Sequence, residues 1–310
     1  MTKRDNIRIQ KDIYTVIAPE NFSFINNTDG TARFFMDIVE QMEKKKYKQM
    51  FFIDSSKVNT VTTDALIYIL AILYNIKLNV VLKYSFKGNL PTNRDAQRVY
   101  LESGFMNYVR SKRAAMPKTD NKVQILSGHR TEPEIVGKIC DFVIERYQEN
   151  YTFTLDLYKT LIELMSNTVH HAYNEKSKMS PNWYIYAVDL GKSIQFTFID
   201  TGEGIPNTVK RKMIEKVPYM IEDSKLIFSA FLGESRTETG LYNRGHGLPA
   251  LYEKILDGGL RNFFVFSGTG CCRSVEEGGN IYLEKKEYLQ VVFGTIFQFE
   301  IKKEKEEVAC

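Results

Sequence analysis

Apolar residues at positions 157, 161, 164 and 172 recur at helical spacing, which predicts a helix through this stretch with its leucines turned inward. Residues 193–200, Ser-Ile-Gln-Phe-Thr-Phe-Ile-Asp, alternate instead and are rich in aromatic and β-branched side chains, so they predict a strand ending at an aspartate and two glycines. Residues 240–255 predict a glycine-rich loop that feeds an amphipathic helix with Leu248, Leu251 and Ile255 inward, and residues 294–301 predict a last strand. Nearer the start, strands predicted near 7–18, 49–53 and 78–84 alternate with helices near 31–45 and 63–76, the pattern of helices layered on one sheet. Thr131-Glu-Pro-Glu134 is a capping box with proline in the first turn and predicts a helix to about residue 147. The polar stretch 114–121 carries a proline and reads as a linker. The pattern divides the chain into an α/β domain over 1–112, a linker over 113–130, a second domain over 131–302 and a charged tail over 303–310.

Three of these segments carry candidate chemistry. On the 157–172 helix, Glu163, Asn167 and His171 lie four apart on one face, away from the leucines. A carboxylate there can act as a general base toward a water or hydroxyl attacking a γ-phosphate. An amide oxygen one turn on can join the octahedral shell of a Mg²⁺ ion. An ordinary surface helix would present the same polar face. Asp200, at a strand end, can accept the exocyclic amine of adenine, while Gly202 and Gly204 permit positive φ and close approach of backbone to a base. Alone, Asp-x-Gly-x-Gly is only a turn signal. Gly245-His246-Gly247 opens free amides at a helix N-terminus and Arg244 adds a cation, together an anion site. Three such segments in this order weigh more than any one of them.

In this order the segments resemble the GHKL ATPase superfamily, which includes sensor histidine kinases, anti-sigma-factor serine kinases, gyrase-type topoisomerases and MutL. The resemblance covers roughly residues 130–302 and takes in Gly294-Thr295 as a closing strand. It implies that Glu163 is the catalytic carboxylate, Asn167 the Mg²⁺ ligand and Asp200 the adenine-binding aspartate. It further implies Gly202 and Gly204 beside the base, Gly245, His246 and Gly247 in the phosphate loop, and Thr295 in support of the adenine site. Arg236 and Arg244 are the cations expected to reach the γ-phosphate from a mobile lid over 206–244. Glu-x-x-x-Asn-x-x-x-His-Ala-Tyr173 is most similar to the anti-sigma serine kinases, with His171 read as structural. Residues 51–66 resemble the core of STAS domains, the anti-sigma-factor antagonist fold. Thr63, flanked by Thr62 and Asp64, stands where those antagonists carry a phosphoacceptor serine, and hydroxyls there serve equally as helix caps. The implied fold class is α/β (α+β): a Bergerat-type α/β sandwich preceded by a smaller STAS-like α/β domain.

Composition narrows the picture. At 310 residues, 43% hydrophobic and 26% charged, the chain can build two ordinary cores. Its net charge of +4 is spread without a basic block, so nucleic-acid binding is not implied. The longest apolar stretch, 65–82, is broken by Asn75, Lys77 and Asn79, and reads as a core helix followed by a strand; no membrane partner is expected. The first residues lack a signal-peptide core, and Cys140, Cys271, Cys272 and Cys310 show no metal spacing, so a reducing cytoplasm is expected. The second domain that follows in gyrase and MutL relatives is not seen. His129 lies in a loop before a helix, whereas a histidine-kinase acceptor sits within one. The expectation is a cytoplasmic ATP-dependent signalling switch, a kinase or slow ATPase, with ATP and Mg²⁺ as cofactors, a protein partner and a possible homodimer. The alternative is a non-catalytic ATP-gated binding module.

Overall fold

The computed structural model describes residues 13–44, 49–76, 84–111, 118–119, 121–147, 151–171, 179–212, 221–234 and 247–302. Within them the chain is mixed α and β, with one parallel and one antiparallel main sheet. The parallel sheet has the order β1 (Ile13–Ile17), β3 (Met50–Asp54), β5 (Ser85–Gly88), with α1 (Thr28–Lys44) and α2 (Thr63–Asn75) as the crossovers. A two-stranded parallel pair, β2 (Asn21–Phe22) with β4 (Thr60–Val61), flanks it. Two short helices, α3 (Arg94–Glu102) and α4 (Phe105–Ser111), close this N-terminal unit. The Asn93 side chain caps α3 by accepting from the amides of Asp95 and Ala96 at 2.9 and 3.1 Å.

The second sheet is antiparallel. Its order is β10 (Arg261–Glu277), β11 (Asn280–Lys302), β9 (Ser193–Asp200), β8 (Trp183–Asp189), β7 (Lys122–Gly128), β6 (Lys118–Thr119). Residues 122–128, assigned from the sequence to the linker, are therefore a sheet strand. The run Val123-Gln-Ile-Leu126 is too short to stand out beside its polar neighbours, yet all four residues are buried.

Alternation along β9 decides what covers each face. Ile194, Phe196 and Phe198 point to one side, where Trp183, Ile185, Phe297 and Phe299 join them, with Phe196 and Phe299 stacked at 5.2 Å. Four helices cover this side: α5 (Pro133–Tyr147), α6 (Tyr151–His171), α8 (Asp223–Phe231) and α9 (Gly247–Leu256). They contribute Val136, Phe142, Leu161, Met165, Phe231, Leu251 and Ile255. Ile199, Tyr184, Phe264, Phe266 and Ile296 point the other way, into one continuous core with Phe24, Phe35, Leu66 and Ile69 of the N-terminal unit. The layers thus run sheet, helices, sheet, helices. Between the two sheets α2 is buried without interruption from Thr63 to Ile72, as a helix apolar on all sides must be.

Side-chain bonds cross this inner seam as well. Thr63 Oγ1 lies 3.2 Å from Thr197 Oγ1 of β9, and Asn75 Nδ2 donates to the Tyr184 hydroxyl at 2.5 Å. Thr63, the position matched to a phosphoacceptor, is therefore buried against the second sheet. The Thr62 hydroxyl donates to Asp64. Asp64 is wholly buried, accepts the Phe24 amide at 2.9 Å, and has its carboxyl raised above the ordinary range chiefly by that burial. No helix among the described residues is long and apolar enough to cross a membrane.

Candidate functional site

Antiparallel register sets Trp183, Asp200, Thr295 and Ser267 side by side across four strands, on the face that the C-terminal helices cover. Trp183 is buried, but Asp200 ends its strand and is only partly buried. Its carboxylate accepts the Gly202 amide at 2.8 Å, which closes the turn, and the Thr295 hydroxyl. Burial outweighs both bonds and pushes the carboxyl up to about 6. Of the two glycines that follow, Gly204 is the one with positive φ, +81°. A Cβ there would meet Ser267 Oγ at 2.7 Å. Ser267 ties the turn to the closing strand, since its Oγ accepts the Ile205 amide at 3.0 Å and donates to the Gly294 carbonyl at 2.7 Å. Nothing in the sequence marks this serine, whose role comes from register alone.

On α6 the predicted division of faces is present. Leu157, Leu161, Leu164 and Met165 are buried, whereas Glu163 and Asn167 are partly exposed one turn apart. The side chain of Glu163 lies against Gly247, the first residue of α9, so closely that a Cβ on Gly247 would stand 2.0 Å from Glu163 Cγ. A side chain at position 247 would have to displace Glu163, so the carboxylate comes this close to the backbone of α9 only because residue 247 is glycine. The next residue, Leu248, packs with Ile205 against the small cluster Val209, Leu226 and Ala230. Ile205 opens α7 (Ile205–Lys212), directly after Gly204. The described start of α9 thus touches Glu163 directly and shares a small apolar cluster with Ile205, the residue that follows the Asp200–Gly204 turn.

Arg236, Arg244, Gly245 and His246 lie outside the described residues, as does the side chain of His171. The expected lid over 206–244 needs correction in its described part. Residues 205–212 and 223–231 are helices, and Ile227 and Phe231 are fully buried in the main core. Leu226, Ile227, Ala230 and Phe231 have helical spacing, and their burial makes α8 a fixed part of the helix layer. Two cations of this span are paired: Lys210 with Asp223 at 2.8 Å and Arg211 with Glu203 at 2.7 Å. Glu203, in the turn itself, has its side chain nearly closed off from solvent.

The N-terminus of α8 is also engaged. Glu287 of β11 accepts from the amides of Asp223 and Ser224 at 3.2 and 3.0 Å, and so fastens the long β10–β11 hairpin to this helix. Set against models of known families and against curated proteins, the sequence matches none.

Proposed function

We propose that the chain binds Mg·ATP in the manner of a GHKL-type ATPase domain and acts as an ATPase or protein kinase in a regulatory switch. The observation that carries this reading is the contact of Glu163 with Gly247 at the α9 N-terminus. It brings the helix carboxylate and the last glycine of the predicted phosphate loop, 84 residues apart in the numbering, to one place. Leu248, next to Gly247, and Ile205, next to Gly204, pack against the same small cluster, which supports reading the two segments as parts of one site. Asp200 would accept the amine of adenine, with Thr295 and the Gly202 amide holding the carboxylate in position. The α9 amides would take phosphate oxygens.

A triphosphate beside Glu163 would place two anions together, which a cation between them relieves. Among the described residues no group of three or more His, Cys, Asp or Glu could hold a metal ion. The donors present suit Mg²⁺, which is held by one or two protein oxygens together with substrate phosphates. Asn167 would supply such an oxygen. Bound there, the ion would neutralise charge on the β- and γ-phosphates. Glu163 would take the proton from the attacking water or hydroxyl, a step within reach of a partly exposed carboxylate.

Incubating the purified full chain with labelled ATP, and scoring phosphate release against label transferred to protein, tests the reading. Either product supports catalysis. Binding with neither product supports the ATP-gated binding module, and no binding overturns the nucleotide reading altogether.

A further inference from the structure

At the closing strand Ser267 faces Thr295, but the next residue of β10, Gly268, faces Val292, so β11 bulges at Phe293 and Gly294. The pairing of β11 with β9 reaches its end at the same point, with Thr295 opposite Asp200. The bulge is packed hard against the candidate site. Gly294 has φ +79°, and a Cβ on it would stand 1.9 Å from the Asp200 carbonyl oxygen. Its own carbonyl accepts from Ser267. From the opposite face of the sheet, Tyr68 of α2 reaches the bulge. The Phe293 amide donates to the Tyr68 oxygen at 2.7 Å, and the Tyr68 hydroxyl lies 3.2 Å from the Phe293 carbonyl, to which it donates.

Tyr68 is itself immobilised. It is 1% exposed and stands edge-on to Phe24 and Phe35 at 5.1 and 4.7 Å. One hydroxyl from the N-terminal unit therefore meets both backbone groups of the residue two positions before Thr295.

We propose that Tyr68 is a positioning residue of the candidate nucleotide site, its hydroxyl fixing the bulge that seats Thr295 against Asp200. The proposal deepens the Mg·ATP reading and rests on it for the identity of the ligand. The geometry makes a purely local role too small: Tyr68 holds Phe293, Gly294 is wedged against Asp200 and bound by Ser267, and Thr295 bonds the carboxylate. Slack in the bulge would withdraw the Thr295 hydroxyl from Asp200. The groups that act on this carboxyl are its own turn's Gly202 amide, Thr295 from β11 and the enclosing burial, while Tyr68 from α2 senses its charge.

The test is the titration of Asp200, followed by carboxyl-carbon NMR on the ligand-free full chain and so independent of any nucleotide. Wild type is expected to titrate near 6. Tyr68→Phe is expected to raise that midpoint by about 0.5 unit or more, because a hydrogen bond to the charged form is weakened. In the same variant Mg·ATP should bind several-fold more weakly. Tyr84→Phe, which removes another buried hydroxyl of the N-terminal unit, one bonded to the Met42 carbonyl at 2.6 Å, should leave both quantities unchanged.

An Asp200 midpoint unmoved by Tyr68→Phe overturns the proposal. Should that variant fail to fold, the Tyr68 ring-carbon shift in wild type must show an inflection at the Asp200 midpoint. Its absence overturns the proposal as well. A chain that binds no Mg·ATP while the midpoint moves as expected would uphold the linkage and overturn only the nucleotide reading.

Discussion

The two faces of the antiparallel sheet are built from the same strands and serve opposite ends. On the inner face, toward the N-terminal unit, Ile199, Phe264, Phe266 and Ile296 are buried, and the polar groups pair within the protein: Thr63 with Thr197, Asn75 with Tyr184, Tyr68 with Phe293. On the outer face the core is equally apolar until the strand ends. There Asp200 is held partly buried at a raised pKa, Glu163 lies partly exposed against Gly247 of α9, and Asn167 is partly exposed one turn on along α6. Saturated polar groups mark a seam, whereas polar groups held ready at some cost in stability mark a site.

Removing the inner seam should have the largest effect. Deleting residues 1–112 uncovers at least Ile199, Phe264, Phe266 and Ile296. At about 1.5 to 3 kcal/mol per large apolar side chain, the loss rivals the roughly 5 to 15 kcal/mol stability of a whole domain. The truncated chain is expected to be unfolded or aggregated by circular dichroism and size-exclusion chromatography. A monomeric, cooperatively melting fragment would mean that the two units are separable.

On the outer face, Glu163→Ala should lower turnover by about 10²- to 10⁴-fold with nucleotide affinity nearly unchanged, since a general base acts mainly in the transition state. Wild-type turnover in this variant would remove the residue from the chemistry. Asp200→Asn should separate stability from binding. The folded protein holds the Asp200 proton more tightly than the unfolded chain does. The stability this group contributes is therefore present below the unfolded value near 3.8 and lost as pH rises through about 6. The amide escapes that loss, so the ligand-free variant is expected to melt about 2 to 4 °C higher than wild type at pH 7.5 and to show no gain at pH 3.5. A lower melting point at both pH values would contradict the assignment of Asp200 as a destabilised, functional group. The smallest effect belongs to the seam: Thr63→Val should cost about 1 kcal/mol in urea unfolding and leave ATP affinity unchanged.

The contrast between the faces also explains what the sequence could reveal. Strand β9 was legible because its alternation and its Asp-Thr-Gly ending are local, and β9 spans residues 193–200 as that alternation predicts. Helices α1 and α2 were legible to within a few residues for the same reason. The seam was not. The run from Ala65 to Ile72 announces a helix buried on all sides, but periodicity does not say which second surface buries it. Strand β7 was hidden because its apolar residues, Val123, Ile125 and Leu126, are few, interrupted by Gln124 and set beside a polar stretch. Ser267 and Tyr68 are single hydroxyls, placed by sheet register and by a bulge that forms only when β11 is paired. The Glu163–Gly247 approach likewise exists only after folding, although both residues stood out by type and order.

Calorimetric titration of the full chain with Mg·ATP tests the central claim most directly, with wild type and Asp200→Asn compared at pH 7.5 and wild type repeated at pH 5. A site built on the ionised Asp200 carboxylate predicts micromolar to millimolar binding by wild type at pH 7.5. The loss expected in Asp200→Asn is about 1 to 3 kcal/mol, the worth of a hydrogen bond to a charged group, with weakened wild-type binding at pH 5 as the carboxylate is protonated. Equal affinity in the two proteins, or no heat of binding in either, would contradict it.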